Sequence, residues 1–116
     1  MKRQLAERSG RNAENRAALW LQEQGWQILT HRRKTPVGEI DLIARYGTPV
    51  VFVEVKWRKS AQQLDFAIDE YRLHRVAAAV EAVAHEYARE GDDIRLDVIL
   101  LAPGEIPRHI VNAWMP

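Results

Sequence analysis

Cysteine is absent from the 116 residues, so disulfides and thiolate metal sites are excluded. A reducing compartment fits that absence. No stretch approaches the roughly 18 apolar residues needed to span a bilayer. The charged start Met1-Lys2-Arg3-Gln4 is not followed by the apolar core of a signal peptide. A cytoplasmic protein with no membrane partner is the resulting expectation. Internal repeats and low-complexity segments are also missing. The histidines His31, His74, His85 and His109 lack metal-ligand spacing and are expected on the surface or in helix packing. The length accommodates one domain, residues 1–116.

What is present is a normal apolar fraction of 47% and an uneven charge distribution beneath a net charge of +1. Residues 1–34 hold eight basic side chains against three acidic ones, a net +5, and the remainder holds nine against thirteen, a net −4. Such a basic segment on an acidic body is compatible with phosphate binding and equally with a solvated charged face.

Hydrophobic periodicity predicts a helix from about Gly10 to Gln24, closed by Gly25, and a strand from Trp26 to Thr30. The basic stretch His31–Pro36 reads as a connector. Strands over Gly38–Ala44 and Val50–Trp57, joined by Tyr46-Gly47-Thr48-Pro49, read as a hairpin. A helix striped by Leu73, Val76, Val80, Val83 and Tyr87 ends at Gly91. A strand from Ile94 to Leu101 follows, and His109–Trp114 adds a short edge strand. The order αβββαβ(β) indicates an α/β fold, with helices packed on a mixed sheet.

The chemistry lies in the hairpin. Strand alternation puts Glu39, Asp41 and Ile43 on one face, with Ile40, Leu42 and Ala44 on the other. Glu54 and Lys56 share a face of a strand that is otherwise apolar on both sides, as a doubly covered strand should be. A charge placed there costs several kcal/mol unless it is paired or coordinated. Pairing the strands brings Asp41 beside Glu54, and two carboxylates repel. A hard divalent cation among their oxygens removes the conflict. Asp41, Glu54 and the backbone carbonyl of Val55 form the expected ligand set, suited to Mg²⁺ (or Mn²⁺). Lys56 is placed to orient a water or to stabilise charge on a phosphoryl group. The competing reading makes Glu54 and Lys56 an edge ion pair and Asp41 a strand-end cap.

Glu14, on the rim of the first helix's stripe, is a candidate second acid, and Glu39 an auxiliary one. Arg32, Arg33, Lys34, Arg58, Lys59 and Arg72 are candidates for gripping phosphates. Asp97 is read as the acid of an ion pair with an arginine, and Trp57 as a core residue.

Gly38–Ala44 and Val51–Arg58, with their Glu-Ile-Asp and Glu-Val-Lys motifs, resemble the YraN family of small bacterial proteins. That family is similar to archaeal Holliday junction resolvases and to the restriction-endonuclease-like PD-(D/E)XK nuclease superfamily. Asn12-Ala13-Glu14, Arg95-Leu96-Asp97-Val98 and Asn112-Ala113-Trp114 extend the resemblance over nearly the whole chain. Leu96 stands where the family usually has Phe, and Arg72 where it usually has Lys. The resemblance implies a restriction-endonuclease-like fold and an active-site set of Glu14, Asp41, Glu54 and Lys56. It also implies a Mg²⁺-dependent endonuclease acting on DNA, with branched or damaged DNA as candidate substrates and RNA less favoured. Paired cuts would suit a two-fold homodimer. The alternative is a nucleic-acid-binding module that keeps the fold without turnover.

Overall fold

A computed structural model describes residues 2–114, with side chains from Arg11 onward. The side chains of Lys2, Arg3 and Arg8, part of the basic segment, therefore lie outside the described residues. The elements are α1 (Lys2–Glu23), β1 (Gln27–Thr35), β2 (Gly38–Arg45), β3 (Val50–Trp57), α2 (Ala61–Leu64), α3 (Glu70–Tyr87), β4 (Ile94–Leu101) and β5 (Arg108–Ile110). They build a five-stranded sheet in the order β1-β2-β3-β4-β5. Among the described strands only β3 and β4 pair in parallel, across the α3 crossover, so the sheet is mixed. This architecture is compatible with a restriction-endonuclease-like fold.

The sheet is covered on both faces. On one, Ala13, Ala17, Ala18 and Leu21 of α1 pack against Leu42, Val51, Val53 and Ile99. On the other, Leu73, Val76, Ala79 and Val83 of α3 pack against Ile43, Phe52, Val98 and Leu100. Small residues along α1 let the helix approach the sheet closely. Gly25 ends it as expected: its φ of +93° suits glycine, and Trp26 N–H returns to the Leu21 carbonyl at 3.1 Å.

Several boundaries differ from the sequence reading. α1 begins at Lys2, because one interior glycine, Gly10, weakens a helix without stopping it. The basic stretch 31–35 belongs to β1: on an edge strand charged side chains can reach water or acidic partners outside the sheet while the backbone pairs. The turn falls instead at Pro36-Val37, where Thr35 Oγ1 accepts from the amides of Val37 and Gly38. α3 stops at Tyr87 before Gly91, which occupies the following turn, and α2 forms behind an N-cap at Ser60. The expected edge strand is shorter, Arg108–Ile110.

The face assignment of β2 also needs correction. Ile40 joins Ile43 in the α3-side core, whereas Leu42 and Ala44 lie in the α1-side core. Strict alternation therefore fails around Asp41. Two features coincide there: the β2–β3 register runs from Arg45↔Val50 only to Leu42↔Val53, and Arg32 of β1 adopts a left-handed φ of 53°.

On the α1 side, Asp97 of β4 is 0% exposed and ties the tail to the sheet. It accepts from Arg95 Nε and Nη2 at 2.9 Å each and from the Asn112 amide at 2.9 Å, and it pairs with His109 Nε2 at 2.7 Å. Burial alone would raise its pKa, but these partners hold it below the ordinary value of 3.8. We predict that Asp97→Ala lowers unfolding free energy by about 3–5 kcal/mol, because it strands Arg95 and breaks the tail's attachment. Denaturant titration checks this, and a loss below about 1 kcal/mol contradicts it. The native contribution is present above pH 3.8 and disappears on acidification through the lower folded pKa.

Candidate active site

The parting of β2 from β3 exposes backbone groups that need partners. Val55 N–H donates to Asp41 Oδ2 at 2.8 Å, just beyond the last β2–β3 pair. That bond holds the Asp41 carboxylate in a half-buried position against Glu54. Asp41 is pushed up to about 8, first by burial and then by the Glu54 charge, against the lowering effect of the Val55 amide.

Glu54, 2% exposed, projects from β3 toward α3. Its Oε1 receives Lys56 Nζ at 3.2 Å and Arg72 Nε at 3.1 Å. Lys56 is itself largely buried, so β3 carries a shielded acid–amine pair of the expected kind, completed by an arginine from a helix.

Glu14 arrives from α1. Its carboxylate lies within 4.8 Å of those of Glu39 and Asp41, each offering one oxygen. Burial raises the Glu14 pKa; the Arg32 guanidinium opposes this and Glu39 adds to it. Arg32 Nε stands 2.8 Å from Glu14 Oε2 and 3.7 Å from Glu39 Oε1. It supplies the local positive charge without an aligned hydrogen bond from that N–H.

The donor set fits a hard cation. The three carboxylates, each offering an oxygen within 4.8 Å of the others, could hold a metal ion. Oxygen-only donors favour Mg²⁺ or Mn²⁺ over softer metals. Beside the cluster opens a cavity of about 260 Å³ lined by Gly38, Glu39, Asp41, Arg72, Arg75 and Val76. It is acidic at the β2 wall and basic at the α3 wall, a polarity suited to a phosphate bridging the two.

Glu14, Glu39, Asp41, Glu54, Lys56 and Arg72 thus converge. The defined contact of Val55 is through its amide, to Asp41. Arg33 is engaged by Glu86 at 2.8 Å, and Arg58 donates to the Trp57 carbonyl at 2.8 Å. Lys34 and Lys59 are exposed. Arg75 was not among the expected site residues, although its i+3 spacing from Arg72 on α3 places both on one helix face. The Asp97–His109 pairing was also missed, since it joins positions on separate strands. Trp57 packs against the α1-side core as expected. Among the described residues no helix is long and apolar enough to cross a membrane.

Cation binding at the acidic cluster requires Asp41 to shed its proton. We predict that Mn²⁺ affinity rises as pH climbs toward about 8, with proton release below that value. Calorimetry in buffers of different ionisation enthalpy measures both, and Asp41→Asn removes both. Affinity independent of pH over this range contradicts the assignment. The metal-free protein follows the same sign: the stabilisation from protonated Asp41 is complete below pH 3.8 and lost as pH rises through about 8.

A model of the family described as Uncharacterised protein family UPF0102 matches residues 13–101, a span from α1 to the end of β4 that contains every residue of the cluster. A UPF0102 protein of Erythrobacter litoralis is 69% identical over 116 residues, the full length of both chains. One from Sphingopyxis alaskensis is 58% identical, again covering 100% of each. One from Caulobacter vibrioides is 42% identical over 110 residues, 94% of this chain and 88% of its own.

Proposed function

The chain belongs to the UPF0102 family, the one to which its YraN resemblance pointed, and we propose that it is a Mg²⁺- or Mn²⁺-dependent endonuclease hydrolysing DNA phosphodiester bonds. The observation that carries this reading is the convergence of Glu14, Glu39 and Asp41 within 4.8 Å, beside the buried Glu54–Lys56 pair and a cavity with Arg72 and Arg75 on its opposite wall.

Glu14, Glu39 and Asp41 would hold the ion, with Glu54 and the Val55 carbonyl as further ligands once Arg72 moves to substrate. When bound, a divalent cation supplies Lewis-acid polarisation of a phosphoryl oxygen and lowers the pKa of a coordinated water. The protein's own groups do the rest. Arg72 and Arg75 grip the phosphate and fix its orientation. Lys56, held by Glu54, presents a positive charge to the phosphoryl oxygens as negative charge grows on them. The burial of Glu54 and Lys56 strengthens these interactions by limiting water.

The test is cleavage of linear, nicked and four-way DNA, with single-stranded RNA in parallel, under Mg²⁺ or Mn²⁺. Asp41→Ala should abolish cleavage and Lys56→Ala should slow it by on the order of 10²–10³-fold. Cleavage that survives Asp41→Ala indicates a contaminant, and cleavage of RNA alone overturns the DNA assignment.

A second reading, a nucleic-acid-binding module without turnover, is favoured by one observation. Arg32 already stands as counter-charge to Glu14 and Glu39. A metal must compete with it. On the nuclease reading, wild-type protein binds Mn²⁺ and Arg32→Gln tightens that binding severalfold by calorimetry. Binding seen only in Arg32→Gln supports the second reading, in which the arginine has replaced the ion.

A further inference from the structure

Beside this cleft runs a segment whose apolar side chains face water. The stretch between α2 and α3 carries Phe66, 88% exposed, and Ile68, 41% exposed; Tyr71, in the first turn of α3, is 72% exposed. Their exposure does not come from a loose loop. Asp65 is paired with Arg108 at 2.7 Å, and Arg108 also reaches the Ala61 carbonyl at 3.4 Å. Ala67 is buried in the α3-side core and its amide returns to the Leu64 carbonyl at 3.1 Å. Asp69 caps α3 by accepting from the Tyr71 amide at 2.9 Å. The backbone is thus anchored on both sides of Phe66 while the ring is left outside.

The position of this segment narrows its occupant. Ala67, Ile68 and Asp69 line one small cavity together with Glu54, Lys56 and Arg72. The exposed segment therefore borders the cationic wall at Ile68, with Phe66 and Tyr71 within three residues of it in the chain. A ligand spanning both must offer negative charge and, next to it, a flat apolar face. A nucleic-acid strand does so at every nucleotide, but only where its bases are not already stacked and paired. In a continuous duplex the base faces are covered, and a fixed Phe and Tyr have nothing to stack on.

We propose that Phe66 and Tyr71 form a stacking platform for unpaired bases next to the phosphate held by Arg72 and Arg75. The substrate class is then DNA with unpaired or splayed nucleotides at the cleavage point, as in single strands, flaps and branch points. This inference rests on the nucleic-acid reading of the cleft and deepens it by assigning what the protein discriminates.

The test measures binding in metal-free buffer, so that it does not depend on turnover. Probes are a single-stranded oligonucleotide carrying 2-aminopurine, the same strand in a blunt duplex, and a four-way junction. Wild-type protein should prefer the single strand and the junction over the duplex and should quench 2-aminopurine on binding. Phe66→Ala/Tyr71→Ala should weaken single-strand binding by on the order of tenfold, remove the quench and leave duplex binding within about twofold. Phe66→Trp should restore both preference and quench. An unchanged melting temperature shows that the variants are folded, as expected for two exposed side chains.

Equal losses on all three probes, or no loss, overturn the platform. So does a wild-type dimer in sedimentation that the double variant dissociates, because a second copy would then cover the patch. The quench without any cleavage under Mg²⁺ or Mn²⁺ keeps the platform and sinks only the nuclease reading. Duplex cleavage with no preference does the reverse.

Discussion

Asp41 accepts the Val55 N–H where β2 and β3 have stopped pairing, and that single bond sets the constraint to which the surrounding residues respond. It places a carboxylate between the sheet and its covering helices, beside Glu54 and within reach of Glu14 and Glu39. Close negative charges at a site partly withdrawn from water are unfavourable in any arrangement without positive charge. Three cations answer: Lys56 and Arg72 at Glu54, and Arg32 at Glu14 and Glu39. None of them is in a defined contact with Asp41, whose own answer is a raised pKa.

The two aspartates of the sheet interior show how such a site differs from a structural one. Burial pushes both carboxyls up, yet the pKa of Asp97 is held below its ordinary value while that of Asp41 is raised. The difference lies in their partners. Asp97 has a bidentate arginine, a histidine and a backbone amide, so its charge is satisfied by the protein alone. Asp41 has one amide and acidic neighbours. A carboxylate satisfied by its own chain is a clamp; one crowded by other carboxylates is ready for an external cation.

The fold delivers each component from a different layer. α1, made slim by Ala13, Ala17 and Ala18, lies close enough to the sheet for Glu14 to reach β2. α3 crosses the other face and lowers Arg72 and Arg75 onto the same cleft, and its N-cap at Asp69 also fixes the segment bearing Phe66. Acidic and basic surfaces thus meet at the end of the sheet where β2 and β3 separate. The Arg32 backbone bears part of the cost, holding a left-handed φ that a non-glycine residue seldom adopts.

Local pattern in the chain determined much of this. Near-continuous apolar runs specified β3 and β4 with their bounds, the helical stripe specified α3, and Glu54 and Lys56 stood out because charges seldom sit within a doubly covered strand. Motif resemblance added Glu14. What the pattern did not reveal depends on groups distant in the chain: Arg75 across the cavity, His109 on Asp97, Arg32 over the acids, and the break in alternation that sends Ile40 and Leu42 to opposite cores. Periodicity reports which face of an element prefers water, a property of neighbouring residues along one backbone. The contacts that set the charge state of Asp41 arise only after α1, β2 and β3 have packed, because burial and Coulomb energy depend on distances in space that sequence separation does not encode.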